Sequence, residues 1–212
     1  MPRLTRAFFD RPCLEVAPEL VGCELVRRWP DGETSVGRIV EVEAYLGDGS
    51  DPGSHSHRGE TPRNRSMFGP PGHLYAYRSY GIHVCVNLVC EPPGRAAGIL
   101  LRALEPLGGV ERMRRLRGLG ASGREREIAR GPGRLAQSLG LGLEHDGASA
   151  LGGGPLWLRS ARAPAAVVQG PRVGLGAGQE LPYRFHLKDS PWVSPWRPGG
   201  RKRRAGSAGT SP

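Results

Sequence analysis

Apolar and polar residues alternate along two pairs of neighbouring segments, and each pair is predicted to form a β-hairpin. The first pair comprises residues 24–29 and 36–46, with a Pro-Asp-Gly turn signal at residues 30–32 between them. The second pair comprises residues 74–78 and 82–90. Because side chains alternate between the two faces of a strand, this period of two favours strands that are buried on one side.

Later apolar runs are too short for helices and are predicted to be strands. They lie at residues 98–104, 156–158, 166–169, 172–175 and 183–187. Helix signals are fewer: an N-cap-like Asp10 precedes Pro12, and a Gly-Pro-Gly start precedes Arg134. The predicted helices span residues 12–21, 110–117 and 134–139.

The strand at residues 36–46 carries acidic side chains on one of its predicted faces. Val40, Val42 and Ala44 belong to the apolar face, whereas Glu41, Glu43 and Tyr45 share the other. Two carboxylates and an aromatic ring are therefore expected to point the same way.

A chain of 212 residues can bury one substantial core, and it falls within the range of a single domain. We expect the folded domain to span residues 1–196. Residues 197–212 are rich in Gly, Ser and basic residues and are predicted to be a disordered tail.

The chain is strongly basic, with 30 Lys and Arg against 20 Asp and Glu and a net charge of +10. Such a balance favours polyanionic partners, DNA or RNA first, through counterion release. Five of the cationic residues lie in the tail, so the folded part is only mildly basic. Because the only lysines are Lys188 and Lys202, nearly all positive charge is guanidinium, which binds phosphate but is no amine nucleophile.

Several function classes find no support in the sequence. There is neither a CxxC pair nor an apolar run long enough to span a membrane, which predicts a soluble cytoplasmic protein with reduced thiols. No phosphate-binding glycine loop is present, so no nucleotide cofactor is expected. His55 and His57, with Asp51 nearby, make a weak metal signal because two histidines two residues apart in a loop have no clear third and fourth ligand, and no metal site is predicted.

Glu43 and Arg102 are the candidates for chemistry. Hydrolysis of an N-glycosidic bond needs a carboxylate that activates water and stabilises an oxocarbenium-like sugar, and Glu43 stands beside Tyr45 on one strand face. The alternative is an ordinary solvated strand carboxylate. Arg102 lies between Leu101 and Ala103 in a strand that reads as buried, so it needs an anionic partner, either in a salt bridge or in a phosphate or water contact.

Aromatic side chains could hold a base that has been flipped out of a nucleic acid duplex. Tyr45, His55, Tyr75 and Tyr77 offer flat faces for stacking, although each could instead pack in the core. Tyr80 differs because a large aromatic residue before Gly81 at a hairpin turn is hard to bury. It could fill the gap left by a flipped nucleotide, or it could fold back on the surface.

These residues lie in motifs through which the chain closely resembles the alkyladenine (3-methyladenine) DNA glycosylase family without a helix-hairpin-helix. The motifs are GRIVEVEAYLG from Gly37, the run from Ser54 to Asn87, LLRALEP from Leu100, GPGRLAQSLG from Gly131, and PRVGLG followed by SPWVS. The resemblance covers residues 14–194, and several ordered motifs together are far more specific than one.

The resemblance implies an α+β fold, a single compact domain around a curved, mostly antiparallel sheet with flanking helices and without metal or diffusible cofactor. It assigns Glu43 as the general base, Arg102 and the Val173 carbonyl as groups that position the water, and Tyr80 as the intercalating residue. The substrate-binding residues that it implies are Tyr45, His55, Tyr77 and Asn87, the last of which would crowd out the exocyclic amine of normal guanine.

The family pattern also implies DNA contacts at Ile82, His83 and Arg134. Ile82 and His83 stand where relatives carry other groove-facing side chains, and Arg134 stands where a lysine is common. The predicted function is monofunctional hydrolysis of alkylated or deaminated purines from double-stranded DNA by a monomer that acts at the nucleoid. The alternative is a non-catalytic nucleic-acid binding module, which would bind in a salt-sensitive manner without releasing a base.

Overall fold

Strands form the frame of the molecule, and the computed structural model describes residues 1–120, 123–163 and 165–199. All strand pairings are antiparallel and join eight strands into one curled sheet. The strands are β1 (Glu24–Arg28), β2 (Thr34–Tyr45), β3 (Leu74–Ser79), β4 (His83–Cys90), β5 (Ala97–Gly108), β6 (Leu156–Arg159), β7 (Val167–Gly170) and β8 (Arg184–Leu187). The helices are α1 (Arg6–Phe9), α2 (Cys13–Leu20), α3 (Val110–Leu116) and α4 (Pro132–Ser138).

Strand β2 occupies the middle of the sheet, in the order β3-β4-β5-β2-β1-β6. It pairs with β5 along one edge, and with β1 and then β8 along the other, while β7 extends the sheet beyond β8. Residues 39–44 are consequently buried on both faces. A charged side chain in this part of β2 must therefore find its partners inside the protein.

The main core lies between the sheet and the helices. Helix α2 buries Cys13, Val16, Ala17 and Leu20, which join apolar side chains of β2, β4 and β5 in one cluster. All four cysteines are buried and free. Among the described residues, none of the helices combines the length and apolar character needed to cross a membrane.

The pairing of β2 with β5 is irregular where the charged residues lie. Ile39 pairs with Leu104, Glu41 with Ala103 and Val42 with Leu101, so the register passes over Val40 on one strand and Arg102 on the other. Such bulges turn side chains away from strict alternation and are frequent beside active sites.

The predicted α+β fold, both hairpins and the three predicted helices are confirmed, with shifts of a few residues at their ends. The strand predicted at residues 172–175 is wrong. This segment is irregular because the N–H of Val173 binds a glutamate side chain and Gly174 has a φ of 74°. Helix α1 was not predicted, and the disorder predicted for the tail falls largely on residues 200–212, which lie outside the described residues.

Candidate active site

Glu43 forms the centre of the site, and its side chain is fully buried. Its Oε1 accepts a hydrogen bond from the Val173 N–H at 2.6 Å, and Oε2 accepts one from the Tyr45 hydroxyl at 2.8 Å and one from Arg102 Nη1 at 3.2 Å. A carboxylate offers about four lone-pair positions. Three donors therefore leave Glu43 one position for a water molecule, and the alternative of a solvated carboxylate is wrong.

The neighbouring carboxylate, Glu41, accepts four hydrogen bonds, three at Oε1 and one at Oε2. It accepts hydrogen bonds from Arg102 Nε at 3.0 Å, Arg184 Nε at 2.8 Å, and both the Oγ and the N–H of Ser194 at 2.8 and 2.7 Å. Burial acts to raise the pKa of Glu41, but Arg102, Arg184 and the Ser194 hydrogen bonds outweigh it and lower that pKa overall. Glu41 is thus a fixed anion that orients Arg102.

Arg102 bridges the two carboxylates and is itself buried. Burial alone would favour loss of its proton, but the adjoining Glu43 and Glu41 carboxylates raise the pKa of Arg102 instead. The salt-bridge reading of Arg102 is therefore confirmed, and its partner is the carboxylate pair rather than a single residue. This cation offsets part of the cost of burying two carboxylates inside the protein.

An aromatic pocket opens beside Tyr45, the residue whose hydroxyl donates to Glu43. It encloses about 310 Å³ of empty space, part of it open to solvent. Its wall consists of Tyr45, Gly53, His55, Met67, Tyr75, Tyr77, Asn87 and Leu175. Such a mainly apolar cavity with a few polar groups suits a small planar ligand.

Tyr75 and Tyr77 lie two residues apart on β3 and stack with ring centroids 5.3 Å apart at 22°. His55 meets the Tyr77 ring edge-on at 4.5 Å and shares a 2.8 Å hydrogen bond between Nδ1 and the Tyr75 hydroxyl. Burial and the nearby Arg63 charge lower the pKa of His55 below its ordinary 6.5, so the imidazole is neutral at pH 7. Burial raises the pKa of Tyr75 to about 12.

Tyr45 joins the pocket to Glu43. Burial and the adjacent Glu43 carboxylate raise the pKa of the Tyr45 phenol well above its ordinary value. The hydroxyl therefore stays protonated at neutral pH and remains a donor to Glu43.

Asn87 projects from β4 into the same pocket and is almost fully buried. Its Nδ2 donates to the Tyr75 carbonyl at 3.1 Å, which fixes the orientation of the amide. A fixed polar group in the wall can reject ligands of the wrong shape.

Tyr80 stands at the tip of the β3–β4 hairpin with 87% of its surface exposed. Both Tyr80 and Gly81 have positive φ, 49° and 72°, and the Ile82 N–H closes the turn on the Ser79 carbonyl at 3.1 Å. Two positive values suit a type I′ hairpin turn but are uncommon for tyrosine. The chain thus holds an aromatic ring outward at a backbone cost, which is typical of a functional residue.

Grooves that contain arginine flank this hairpin tip on two sides. One is lined by Tyr80, Arg63 and Arg78, and the other by Tyr80, His83 and three arginines at positions 117, 130 and 134. His83 packs against helix α4 so closely that a Cβ on Gly133 would lie 2.8 Å from its own Cβ. Ile82 is 71% exposed beside Tyr80. Arg134 is about half exposed and pairs with Glu127 at 2.6 Å.

The structure places the predicted residues in two groups. Glu43, Arg102, Tyr45 and the N–H of Val173 meet at the buried carboxylate, and His55, Tyr77 and Asn87 line the adjoining pocket. The predicted DNA contacts, Tyr80, Ile82, His83 and Arg134, lie on the outer hairpin and on α4. The contact seen at Val173 is its N–H to Glu43, whereas the predicted role of its carbonyl stays a prediction.

Sequence reasoning missed several residues that build the site. Ser194 and Arg184 hold Glu41, and Arg172 forms a two-point contact with Asp51, the residue considered above as a metal ligand. Among the described residues, no three His, Cys, Asp or Glu side chains gather as a metal site would require. The one available signal was the presence of Arg172 in the PRVGLG motif and of Ser194 in the SPWVS motif, whereas Arg184 lies outside both.

Chemically, this arrangement can hold a planar heterocycle against Tyr77 and His55 while Glu43 accepts a proton from water beside it. Residues 7–191 match the family model described as methylpurine-DNA glycosylase. Among similar curated proteins, one from Streptomyces avermitilis is 50% identical over 206 residues, covering 95% of each chain. One from Burkholderia lata is 47% identical over 194 residues, covering 90% of each chain, and both are named "Putative 3-methyladenine DNA glycosylase".

Proposed function

The chain belongs to the methylpurine-DNA glycosylase family, and from that premise we propose that it flips damaged purines out of duplex DNA and hydrolyses their N-glycosidic bond with water activated by Glu43. The observation that carries this proposal is the contrast between two buried carboxylates. Glu41 accepts four hydrogen bonds, from two arginines and from Ser194, whereas Glu43 accepts three and binds the hydroxyl of Tyr45, which lines the aromatic pocket. Glu43 therefore has a free lone-pair position next to the pocket wall.

In the proposed reaction, water attacks C1′ of the damaged nucleotide and gives its proton to Glu43. The C1′–N bond breaks, and the base leaves with the bonding electron pair. The sugar develops oxocarbenium character, which the Glu43 carboxylate stabilises at close range inside a buried site. Arg102 holds that carboxylate in place through its Nη1 hydrogen bond.

The pocket suits purines whose glycosidic bond is already weakened. A cationic base such as 3-methyladenine is a good leaving group and stacks favourably on the electron-rich rings of Tyr45 and Tyr77. A neutral base such as hypoxanthine would need protonation or hydrogen bonding at the pocket wall in order to leave. We propose that the fixed amide of Asn87 excludes the exocyclic amine of normal guanine.

Extrusion of the base leaves a gap in the stack, and we propose that Tyr80 fills it. Its exposure and its position between two grooves that contain arginine support this role, because guanidinium groups on both sides can bind phosphates of the bent duplex. Ile82, His83 and Arg134 would contact the duplex alongside it. We propose further that the protein acts on chromosomal DNA in the cytoplasm, at the nucleoid, as a monomer.

The test is single-turnover release of free base from duplexes that carry hypoxanthine, ethenoadenine or random methylation, with wild type and Glu43→Gln compared. We expect release by the wild type and none by the variant, which should fold and bind DNA because Arg102 keeps Glu41. A fully active variant would refute the role of Glu43. Tight binding without release by the wild type would instead establish a binding module.

A lyase mechanism would need an amine nucleophile. Lys188 is the only lysine in the described part of the chain, and it does not line the pocket. The remaining candidate is the amine of Pro2, were Met1 removed. Borohydride trapping with an abasic duplex is expected to give no covalent adduct.

A further inference from the structure

The Asp51–Arg172 pair lies next to Tyr45 and Val173, the two residues that bind Glu43 together with Arg102. Neither Asp51 nor Arg172 has a role in the reaction described above. We infer that Arg172, held by Asp51, is a positioning residue that fixes two of the three donors to Glu43. This inference rests on the proposed function of Glu43 as the base.

Arg172 is completely buried and makes four polar contacts. Nη1 donates to Asp51 Oδ2 at 2.7 Å and to the Ala44 carbonyl at 3.0 Å. Nη2 donates to Asp51 Oδ1 at 2.6 Å and to the Gly178 carbonyl at 2.8 Å. A planar guanidinium in a two-point contact with a carboxylate has little freedom to rotate. Its position is therefore set by contacts that come from three parts of the chain.

This fixed cation reaches Glu43 by two routes. Along the chain, the next residue is Val173, whose N–H donates to Glu43 at 2.6 Å. Through space, the guanidinium carbon lies 4.6 Å from the ring centroid of Tyr45, whose hydroxyl donates to Glu43 at 2.8 Å. Arg172 also holds the carbonyl of Ala44, the residue between Glu43 and Tyr45.

Asp51 extends the same arrangement to the pocket wall. Its Oδ2 accepts the Leu46 N–H at 3.2 Å, and its Oδ1 accepts the Gly53 N–H at 2.9 Å. Gly53 lines the pocket with Tyr45. One ion pair thus anchors the end of β2, the loop after it and the segment that carries Val173.

A gain in folding stability does not by itself explain why the protein buries this ion pair. Both ions lose their water on burial, and an apolar pair of similar volume often stabilises a fold equally well. What an apolar pair cannot do is hold the Ala44 carbonyl and the Tyr45 ring at defined distances. The pair should therefore matter more for the rate of base release than for folding.

The test compares Arg172→Lys and Asp51→Asn with a matched control, Glu24→Gln. Glu24 is also a buried carboxylate, with 2% of its surface exposed, and it accepts a hydrogen bond from Arg159 at 2.5 Å. It lies on β1, which pairs with the first half of β2 and with β6. Single-turnover release at saturating enzyme, binding to a duplex with a tetrahydrofuran abasic analogue, and melting temperature are measured for each protein.

We expect Arg172→Lys and Asp51→Asn to slow release roughly 10- to 100-fold, since each weakens hydrogen bonds to a charged acceptor, while DNA affinity stays within about twofold. Glu24→Gln should lower the melting temperature comparably and leave release within about twofold of wild type. Release that simply follows melting temperature across these proteins would overturn the inference.

The double variant D51N/R172M separates positioning from stability. Removal of both charges should recover part of the melting temperature lost in Asp51→Asn, because no buried cation is left without a partner. Release should stay slow, since methionine cannot hold Ala44 or Val173 in place. Recovery of release together with melting temperature would show that the pair is merely structural. If the wild type releases no base, the proposed function itself fails, which is a different result.

Discussion

Nε of Arg102 lies 3.0 Å from Oε1 of Glu41, and this contact separates the tasks of two carboxylates that are only two residues apart. Glu41 is shared between Arg102 and Arg184, whereas Glu43 accepts only three hydrogen bonds and keeps a lone-pair position free. The strand face that carries both is thus divided between a structural anion and the carboxylate that we propose as the base.

Glu41→Gln should lose both stability and activity. The change leaves Arg184 without an anionic partner and Arg102 with Glu43 alone, and breaking a buried ion pair from one side costs about 3 to 5 kcal/mol. Urea unfolding should show this loss, and base release should fall with it because Arg102 is no longer held. Glu43→Gln serves as the comparison, since it is expected to lose release with a smaller loss of stability. A Glu41→Gln protein as stable as wild type would contradict this account.

The lowered pKa of Glu41 also predicts how stability depends on pH. The folded-state pKa lies below the ordinary 4.5, so the unfolded chain binds a proton more readily than the folded protein does. The contribution of Glu41 is present above that value and is lost as the pH falls through the folded-state pKa. Unfolding free energies measured from pH 7 to pH 3 should decline below about 4.5 in wild type, and Glu41→Gln should flatten part of that decline. Parallel curves for the two proteins would be inconsistent with the prediction.

Tyr80→Ala should change binding without changing folding. With 87% of its surface exposed, Tyr80 has little packing to lose, so the free energy of unfolding should stay within about 0.5 kcal/mol of wild type. Loss of its stacking should weaken binding to a damaged duplex by about 1 to 3 kcal/mol. Tyr80→Trp, which keeps a flat ring, is the matched control. Equal affinity of the alanine and tryptophan variants would rule out the wedge role.

Local sequence signals were sufficient to predict the two hairpins and the residues that project from them. Alternation along residues 36–46 placed Glu41, Glu43 and Tyr45 on one strand, and the Tyr80-Gly81 pair indicated a turn. These features depend on neighbouring residues and on backbone geometry, which a single sequence records directly.

The partners of the buried charges could not be predicted in the same way. Arg172 meets Asp51 across 121 positions, and Ser194 meets Glu41 across 153. The apolar residues near Arg172 made residues 172–175 resemble a strand. The local pattern of apolar and polar residues does not reveal that the Arg172 guanidinium is buried and bound to a distant loop. Long-range pairing of this kind is decided by the tertiary fold and overrides local preference.

The loop after β2 offers a last test, because it leaves no space for a side chain at Gly47. A Cβ there would overlap the carbonyl oxygen of Arg95, a backbone atom that cannot move without displacing the chain that leads into β5. Gly47→Ala should therefore cost more than about 4 kcal/mol and yield little folded protein. Gly170→Ala, where a Cβ meets nothing within 4 Å, should stay within about 0.5 kcal/mol of wild type. Melting temperature and soluble yield are measured for both variants and for wild type. A stable, fully active Gly47→Ala protein would show that the loop can rearrange.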